Sequence, residues 1–418
     1  MAIKEKGITV VSPMWGERTI TDRMVFSVIH QFISDKNKFK IHLVLVDDYI
    51  EGRGENDESP YDYYVSEEFK KFYDTSKITI TLIKNAEHKY QGESREIGWK
   101  KGNFNYFLLV DCDDMLSPNC CDRYLNIINE SKSRNEKPIA CVHGLLYSFD
   151  TGGQENNIPG HSIWVQGRCY SKIFMNRFGI HFPKGKNSRQ GEDYPFIRKL
   201  DYAIAHQEEF QVVKIPYEEP SHIDTQATAF WFPNDKSLSR QDPHYSQHLA
   251  GWTMQSSNGI LDFFDDFNKK FNFEDEEDEF MKHQYLNMTI YSFYNLLDFL
   301  KEVSTTDYKP IEEDWYVLRD NVAKLRKRLK DKYWNEIVYS DIEDMLYNVK
   351  HNSDAHFVES WIGNFYDYMN ANDGIVIDIL TMDYDRMMKY CKEEIEFDGA
   401  NHEIHMPQVK AWAKRHKR

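Results

Sequence analysis

The sequence predicts an α/β domain with a largely parallel sheet over residues 1–244, followed by a mainly α-helical domain over residues 245–418. Three observations lead there. Residues 1–115 alternate short β-rich runs with amphipathic segments, the signature of strands joined by crossover helices. Two of the four strand-like runs end abruptly in acidic residues, and open α/β sheets bind ligands beyond the carboxyl ends of their strands. Beyond about residue 245 glycines become scarce and long helical patterns take over. A chain of 418 residues also exceeds one ordinary core, so two or three domains are expected.

Ile8-Thr-Val-Val11 reads as the first strand, and Met24, Val25, Val28, Ile29, Phe32 and Ile33 form one apolar face of the helix after it. Ile41 to Val46 is the second strand, closed by Asp47-Asp48. Residues 49–66, polar and punctuated by Gly and Pro, read as a long surface loop. Ile78 to Ile83 is the third strand, Ser94 to Lys101 is helix-like, and Tyr106 to Val110 is the fourth strand. A β-like Ile139 to Val142, a turn at Gly152-Gly153 and a loop from Pro183 to Gly191 mark residues 136–240 as a region that builds a site rather than a repetitive scaffold. Met281 to Glu302, Ile311 to Lys330 and Asp354 to Asn370 are helical, with the acidic run Phe273 to Phe280 as a solvated helix start.

Composition narrows the classes. Hydrophobic residues at 41% and charged residues at 29% describe a soluble globular protein. No stretch approaches the ~20 apolar residues of a membrane helix, and Met1 to Gly7 has no apolar signal core. A cytoplasmic protein with no integral membrane contact is therefore expected. Cys112, Cys120, Cys121, Cys141, Cys169 and Cys391 show no C-x-x-C spacing and read as reduced, mostly buried thiols. The net charge of −16 argues against passive adhesion to nucleic acid, although Lys410 to Arg418 holds five Lys or Arg and no acid. That tail reads either as a solvated end or as a local basic patch.

The chemistry concentrates in Asp111, Asp113 and Asp114. Three carboxylates within four residues repel one another unless water or a cation compensates them, and their oxygens are the ligands that Mg²⁺ and Mn²⁺ prefer. Ser117-Pro118 equally reads as a helix N-cap and first turn, in which case the acids simply close a strand. Asp47-Asp48 is by itself as readily a turn as a site. Glu192-Asp193 opens a probable helix, where acidic residues suit the dipole whatever their function.

Taken in order, Pro13-Met-Trp-Gly-Glu17 after strand one, Asp47-Asp48 after strand two, Asp111 to Asp114 after strand four and Glu192-Asp193 at a later helix start resemble the GT-A-fold glycosyltransferases of family two. The resemblance spans roughly residues 7–242 and rests on the ordered set, since D-x-D or E-D alone is common. Asn234-Asp-Lys-Ser-Leu-Ser-Arg240 is similar to the family's stretch near the donor phosphates. Two departures stand out. Pro13-Met14-Trp15-Gly16 replaces the usual Pro-x-Tyr-Asn, and Ser94-Arg95-Glu96 replaces the common Ala-Arg-Asn.

The resemblance implies a GT-A (Rossmann-like) mixed sheet and an inverting, metal-dependent transfer from a nucleotide-diphosphate sugar, UDP-linked in this reading. Pro13, Trp15, Glu17, Asp47, Asp48 and Arg95 would contact the donor, Asp111 its ribose, and Lys236, Ser237 and Arg240 its phosphates. Asp113, with Asp111, would ligate Mn²⁺ or Mg²⁺, and His222 stands where a late histidine completes the metal shell in some related folds. Asp193 would be the general base that takes the acceptor hydroxyl proton. Glycan, protein and a hydroxylated DNA base are all open as acceptors, and the helical domain would select the acceptor or a partner. Two other classes compete. Nucleotidyl transfer needs a glycine-rich basic loop after the first strand, which Pro13 to Arg18 does not supply. A GT-A-like module without turnover, binding a sugar nucleotide or a protein, is opposed by the intact Asp111, Asp113 and Asp193.

Overall fold

The computed structural model describes residues 6–34, 39–148, 165–185, 191–216, 227–232, 245–271, 299, 303, 309–332 and 382–391. The chain divides into two compact units, Met1–Gln241 and Asp242–Arg418.

The first unit is a mixed α/β structure. Its strands and helices run in the order β1 (Gly7–Met14), α1 (Arg18–Ile29), β2 (Lys40–Asp47), β3 (Ile78–Lys84), α2 (Tyr90–Lys101), β4 (Tyr106–Leu109), β5 (Met115–Leu116) and α3 (Cys120–Ser133). There follow β6 (Ile139–His143), β7 (Leu146–Ser148), β8 (Arg168–Ser171), α4 (Lys172–Phe178), α5 (Asp193–Ala205), β9 (Gln211–Lys214) and β10 (Ala229–Trp231). Seven strands form one sheet in the order β3-β2-β1-β4-β8-β6-β9. The first four are mutually parallel, β8 runs antiparallel to β4 and β6, and β9 is parallel to β6. A mixed α/β sheet was expected from the sequence, and the structure has one. A second sheet, β5-β10-β7, is small.

The central strands are apolar on both faces because both are covered. Ile8, Val10, Leu43, Leu45 and Leu108 share a core with Met24, Val25, Val28 and Ile29 of α1 and with Tyr124, Leu125 and Ile128 of α3. The alternate residues meet α2. Trp99 stacks on Phe107 of β4 at 5.3 Å and 10°, and a Cβ at Gly98 would lie 2.2 Å from Val11 Cγ1 and 3.1 Å from Val46 Cγ2. Gly98 thus lets α2 lie directly on β1 and β2.

Four expectations change. Helix α1 ends at Ile29, so Phe32 and Ile33, read as part of its apolar face, lie beyond it, and Phe32 is exposed. Helix α2 begins at Tyr90 rather than Ser94, because Asp48 at the end of β2 accepts the amides of Lys89 and Tyr90 and so anchors an extra turn. Helix α3 begins at Cys120, not at Pro118. Ser117 and Pro118 are held outside it: the Ser117 amide donates to Thr228 O, its carbonyl accepts from Gln31 Nε2, and Pro118 O accepts from Phe32 N. Residues 49–66 contain short 3-10 turns rather than a bare surface loop. Tyr61 and Tyr64 are fully buried, and Arg53 pairs with both Asp47 and Asp57. Five of the cysteines are free thiols, all buried except the half-exposed Cys112.

In the second unit, α6 (Tyr245–Phe271) and α7 (Glu312–Lys332) pack together, and α8 (Tyr384–Cys391) is also described. Asn258 Nδ2 donates to Asn321 O at 2.9 Å, and Trp315 Nε1 donates to Met382 O at 3.2 Å. Helices were expected here, and α7 matches the one read at Ile311 to Lys330. That at Met281 to Glu302, apart from the buried, helical Phe299, and that at Asp354 to Asn370, the acidic run, the turn at Gly152-Gly153 and the basic tail lie outside the described residues. No described helix is long and apolar enough to cross a membrane.

Replacing Gly98 with alanine should force α2 off β1 and β2. We expect a loss of about 1–3 kcal/mol in unfolding free energy, measured by urea denaturation, the range for an added methyl group in a packed contact.

Candidate active site

The loops that leave the carboxyl ends of β1, β2, β3 and β4 share one edge of the sheet, because the four strands are parallel. Pro13 is still in β1, paired in register with Val46. Gly16 takes the left-handed conformation at φ 86° that a side chain would resist, and its carbonyl accepts from Tyr61 Oη at 2.7 Å. Between them Trp15 is 43% exposed, with ring centroids 5.2 Å from Tyr49 and 5.3 Å from His88. His88 in turn stacks near Tyr90 at 6.2 Å. Glu17 is exposed at the N-cap of α1 and makes no side-chain capping bond.

Asp47 and Asp48 are turned inward. Asp47 is fully buried, accepting from Tyr49 N at 2.9 Å and from Arg53 Nε at 3.1 Å. Asp48 accepts from Asn85 Nδ2 at 2.7 Å, Lys89 N at 2.8 Å and Tyr90 N at 2.9 Å. Tyr90 sits at φ 58°, a conformation that costs a non-glycine residue on the order of 1–3 kcal/mol. The Asp48 carboxylate supplies the bonds that hold it. Asp48 therefore sets the start of α2, while Asp47 holds the turn after β2 through Tyr49 and Arg53.

Arg95, one and a half turns into α2, is the junction of the site. Its side chain is 1% exposed. Nη2 donates to Asp111 Oδ1 at 2.6 Å, while Nη1 donates to Asp193 Oδ1 at 2.6 Å and to Glu192 Oε1. Two acidic motifs that begin 16 and 97 residues further along the chain thus meet on one guanidinium. Burial works against the Arg95 charge, but Asp111, Asp193 and Glu192 outweigh it and hold the side chain firmly cationic. Burial pushes the Asp193 carboxyl well above the usual carboxylate range; Glu192 and Asp111 push the same way and Arg95 opposes them.

Asp111 is held on every side. Besides Arg95, Gln91 Nε2 donates to its Oδ1 at 3.1 Å, and Gln166 Nε2 donates to Oδ2. Asp113 is half-exposed, and its carbonyl accepts from Arg23 Nη2 of α1. Asp114 is buried: Oδ1 accepts from Phe232 N at 2.9 Å, and Oδ2 has no hydrogen bond of normal length and angle, with Gln166 its polar neighbour. Burial, then Asp111 and Asp113, raise the Asp114 carboxyl well above its ordinary value.

Among the described residues no three His, Cys, Asp or Glu side chains converge as a complete metal cage. The acidic turn nonetheless suits a hard divalent cation in its chemistry. Its oxygens are of the right kind, its charges are mutually unfavourable, and one buried carboxylate oxygen is unsatisfied. Asp111 and Asp113 are both partly exposed, and Asp114 is buried. His222, Lys236, Ser237 and Arg240 lie outside the described residues.

Four participants were not marked as site residues from the sequence: Gln91, Gln166, Glu93 and Glu96. Glu93 Oε2 accepts from Gly185 N at 2.9 Å and Glu96 Oε2 from Phe182 N at 2.8 Å, so α2 also grips the segment ahead of Glu192. The i,i+3 spacing of Glu93 and Glu96 on one helix face was the available signal. Burial alone would raise the Glu96 carboxyl; His181 and Lys100 beside it hold it below its ordinary value.

The sequence matches no family model and no curated protein. Among solved structures the chain is similar to S. aureus TarS, with a TM-score of 0.42 and 10% identity over 94% of this chain, which spans 55% of the length of that one. It is also similar to TarS 1–349 in complex with UDP-GlcNAc, with a TM-score of 0.42 and 12% identity over 81% of this chain and 93% of that one. A third is the mannosyltransferase PcManGT from Pyrobaculum calidifontis in complex with GDP-Man and Mn²⁺, with a TM-score of 0.40 and 8% identity over 100% of this chain and 89% of that one.

Removing the shared cation should be costly. Arg95→Met leaves three carboxylates without their counter-charge, and a loss of about 3–5 kcal/mol in urea unfolding is expected. The acid limb of stability should depend on Glu96. Its folded carboxyl lies below the reference 4.5, so its contribution is complete above that value and is lost as pH falls through the folded-state value. As pH falls below the reference 4.5 and through the lower folded-state value, the gap in unfolding free energy between wild type and Glu96→Gln should close.

Proposed function

We propose that this protein is a metal-dependent inverting glycosyltransferase that moves a sugar from a nucleotide diphosphate, UDP-linked, to an acceptor hydroxyl. The observation that carries the reading is the shared guanidinium of Arg95, which brings the acidic turn at Asp111 and the Glu192–Asp193 pair into one site. An enzyme performing such a displacement needs one acidic group near the departing diphosphate and another, on the opposite side of the anomeric carbon, near the acceptor. Residues far apart in sequence supply both.

In this reading Asp193 is the general base. The acceptor oxygen attacks the anomeric carbon, its proton passes to Asp193, and the bond from that carbon to the diphosphate oxygen breaks with its electrons leaving on the diphosphate. One displacement inverts the centre. A sugar hydroxyl is a poor nucleophile at neutral pH, and a partly exposed carboxylate with raised proton affinity is suited to take its proton. Arg95 fixes the direction of that carboxylate. A divalent cation, Mn²⁺ or Mg²⁺, held by Asp113 with Asp111 and Asp114 beside it would offset the charge developing on the diphosphate. Trp15, backed by Tyr49 and His88, offers an exposed aromatic face for the nucleobase, with Pro13 and Glu17 flanking it. Asp47 and Asp48 shape that pocket through the backbone they hold. Lys236, Ser237 and Arg240 are assigned to the phosphates and His222 to the metal on the family resemblance. The helical unit is assigned to the acceptor, a glycan, a protein or a hydroxylated DNA base, or to a partner.

Thermal-shift screening of UDP-sugars with and without Mn²⁺ tests the reading. A sugar nucleotide at a hundred times its dissociation constant should raise the melting temperature of the wild type by roughly 5–10 °C. Asp113→Ala should lose the Mn²⁺-dependent part of the shift. Asp193→Asn should keep the shift and lose donor turnover by about 10²–10⁴-fold. If no nucleotide sugar stabilises the wild type, the reading fails, and a role in binding proteins takes its place.

A further inference from the structure

Helix α2 does more than deliver Arg95. Glu96 is 4% exposed, and its Oε2 accepts from the amide of Phe182 at 2.8 Å. Its Oε1 faces Lys100 Nζ and lies 3.1 Å from His181 Nδ1. The His181 ring is parallel to Trp99, at 11° and 6.5 Å, so the residue before Phe182 also lies near the next turn of the same helix face. Phe182 is itself buried, and its ring lies face to face on Phe196 at 4.0 Å and 4°. Phe196 belongs to the first turn of α5, the turn that Asp193 opens. The Arg95 guanidinium stands 5.9 Å over the Phe182 ring. Phe182 therefore supports both members of the Arg95–Asp193 ion pair, and Glu96 holds Phe182.

A buried carboxylate is expensive unless its oxygens are used. Here they are used on the segment that precedes the proposed base rather than on the sheet or on another helix. The structure assigns Glu96 as a positioning residue for Asp193, acting through the Phe182 amide and the Phe182–Phe196 stack. This inference rests on the reading of Asp193 as the general base. It predicts that Glu96 affects turnover and leaves the binding of the sugar nucleotide alone, because no contact of Glu96 reaches Trp15, Asp111 or Asp113.

Three variants of the full-length chain, Glu96→Ala, Glu96→Gln and Phe182→Leu, decide it. Two readouts apply: release of UDP from the UDP-sugar that stabilises the wild type, in Mn²⁺, and hydrogen exchange of the amides across residues 191–200. Glu96→Ala and Phe182→Leu should lower kcat about 10–100-fold with the donor KM within about two-fold, the size of effect expected from a misplaced catalytic group. Exchange at the start of α5 should quicken in both. Glu96→Gln keeps an oxygen for the Phe182 amide and should recover most of kcat and of the protection. Wild-type kcat and exchange in Glu96→Ala would overturn the inference, as would a donor KM that rises in step with the loss of kcat. If the wild type releases no UDP, the glycosyltransferase reading falls separately, and exchange alone decides the positioning: faster exchange across α5 supports it and unchanged exchange refutes it. Should Glu96→Ala fail to fold, Phe182→Leu and Glu96→Gln give the same two comparisons.

Discussion

One buried guanidinium organises the site. Arg95 lies almost wholly out of water, and a charge so placed is tolerated only with close partners; Nη1 and Nη2 have them, while Nε has no hydrogen-bond partner among the described residues. Its partners are three carboxylates, Asp111, Glu192 and Asp193, so the local charge is negative even after pairing. Burial above all raises the proton affinity of Asp193; Arg95 pulls it back, and the excess of neighbouring acids, Glu192 and Asp111, adds to the rise. The same contact that costs desolvation energy joins the loop after β4 to the start of α5.

Helix α2 is the frame on which that contact depends. Asp48 bonds its first amides, Gly98 allows it to lie flat on β1 and β2, and Glu93 and Glu96 hold residues 182 and 185. Its buried residues include Gly92, Ser94, Arg95, Glu96, Gly98 and Trp99, a face that is polar and small rather than apolar. A helix of that composition is held by specific bonds and close approach more than by hydrophobic burial. The strained turn at Tyr90 fits the same picture, since the bonds from Asp48 maintain it.

Much of this was legible in the residues and some was not. The strands were visible because buried parallel strands are continuous apolar runs, and α1 because Met24, Val25, Val28 and Ile29 recur at helical spacing. The start of α2 was missed by four residues because its buried face has no hydrophobic period. The start of α3 was misjudged because Ser117-Pro118 carries a helix-start pattern locally while its backbone is bonded to Thr228, Gln31 and Phe32. Asp47 and Asp48 were marked as acids at a strand end, and their location was right. That their oxygens serve Arg53, Tyr49, Asn85, Lys89 and Tyr90 depended on a turn no pattern describes.

The sequence alone determined the α/β class and the placing of Asp47-Asp48 and Asp111 to Asp114 beyond strand ends, because hydrophobic period and strand length are local properties of the chain. The tertiary structure alone decided that Arg95 joins Asp111 to Glu192 and Asp193, that Gln91 and Gln166 hold Asp111, and that Glu96 holds Phe182. Those contacts link residues up to 98 positions apart. Pairing at that distance is set by which strands neighbour each other and which helix covers them, and no spacing along the chain encodes it.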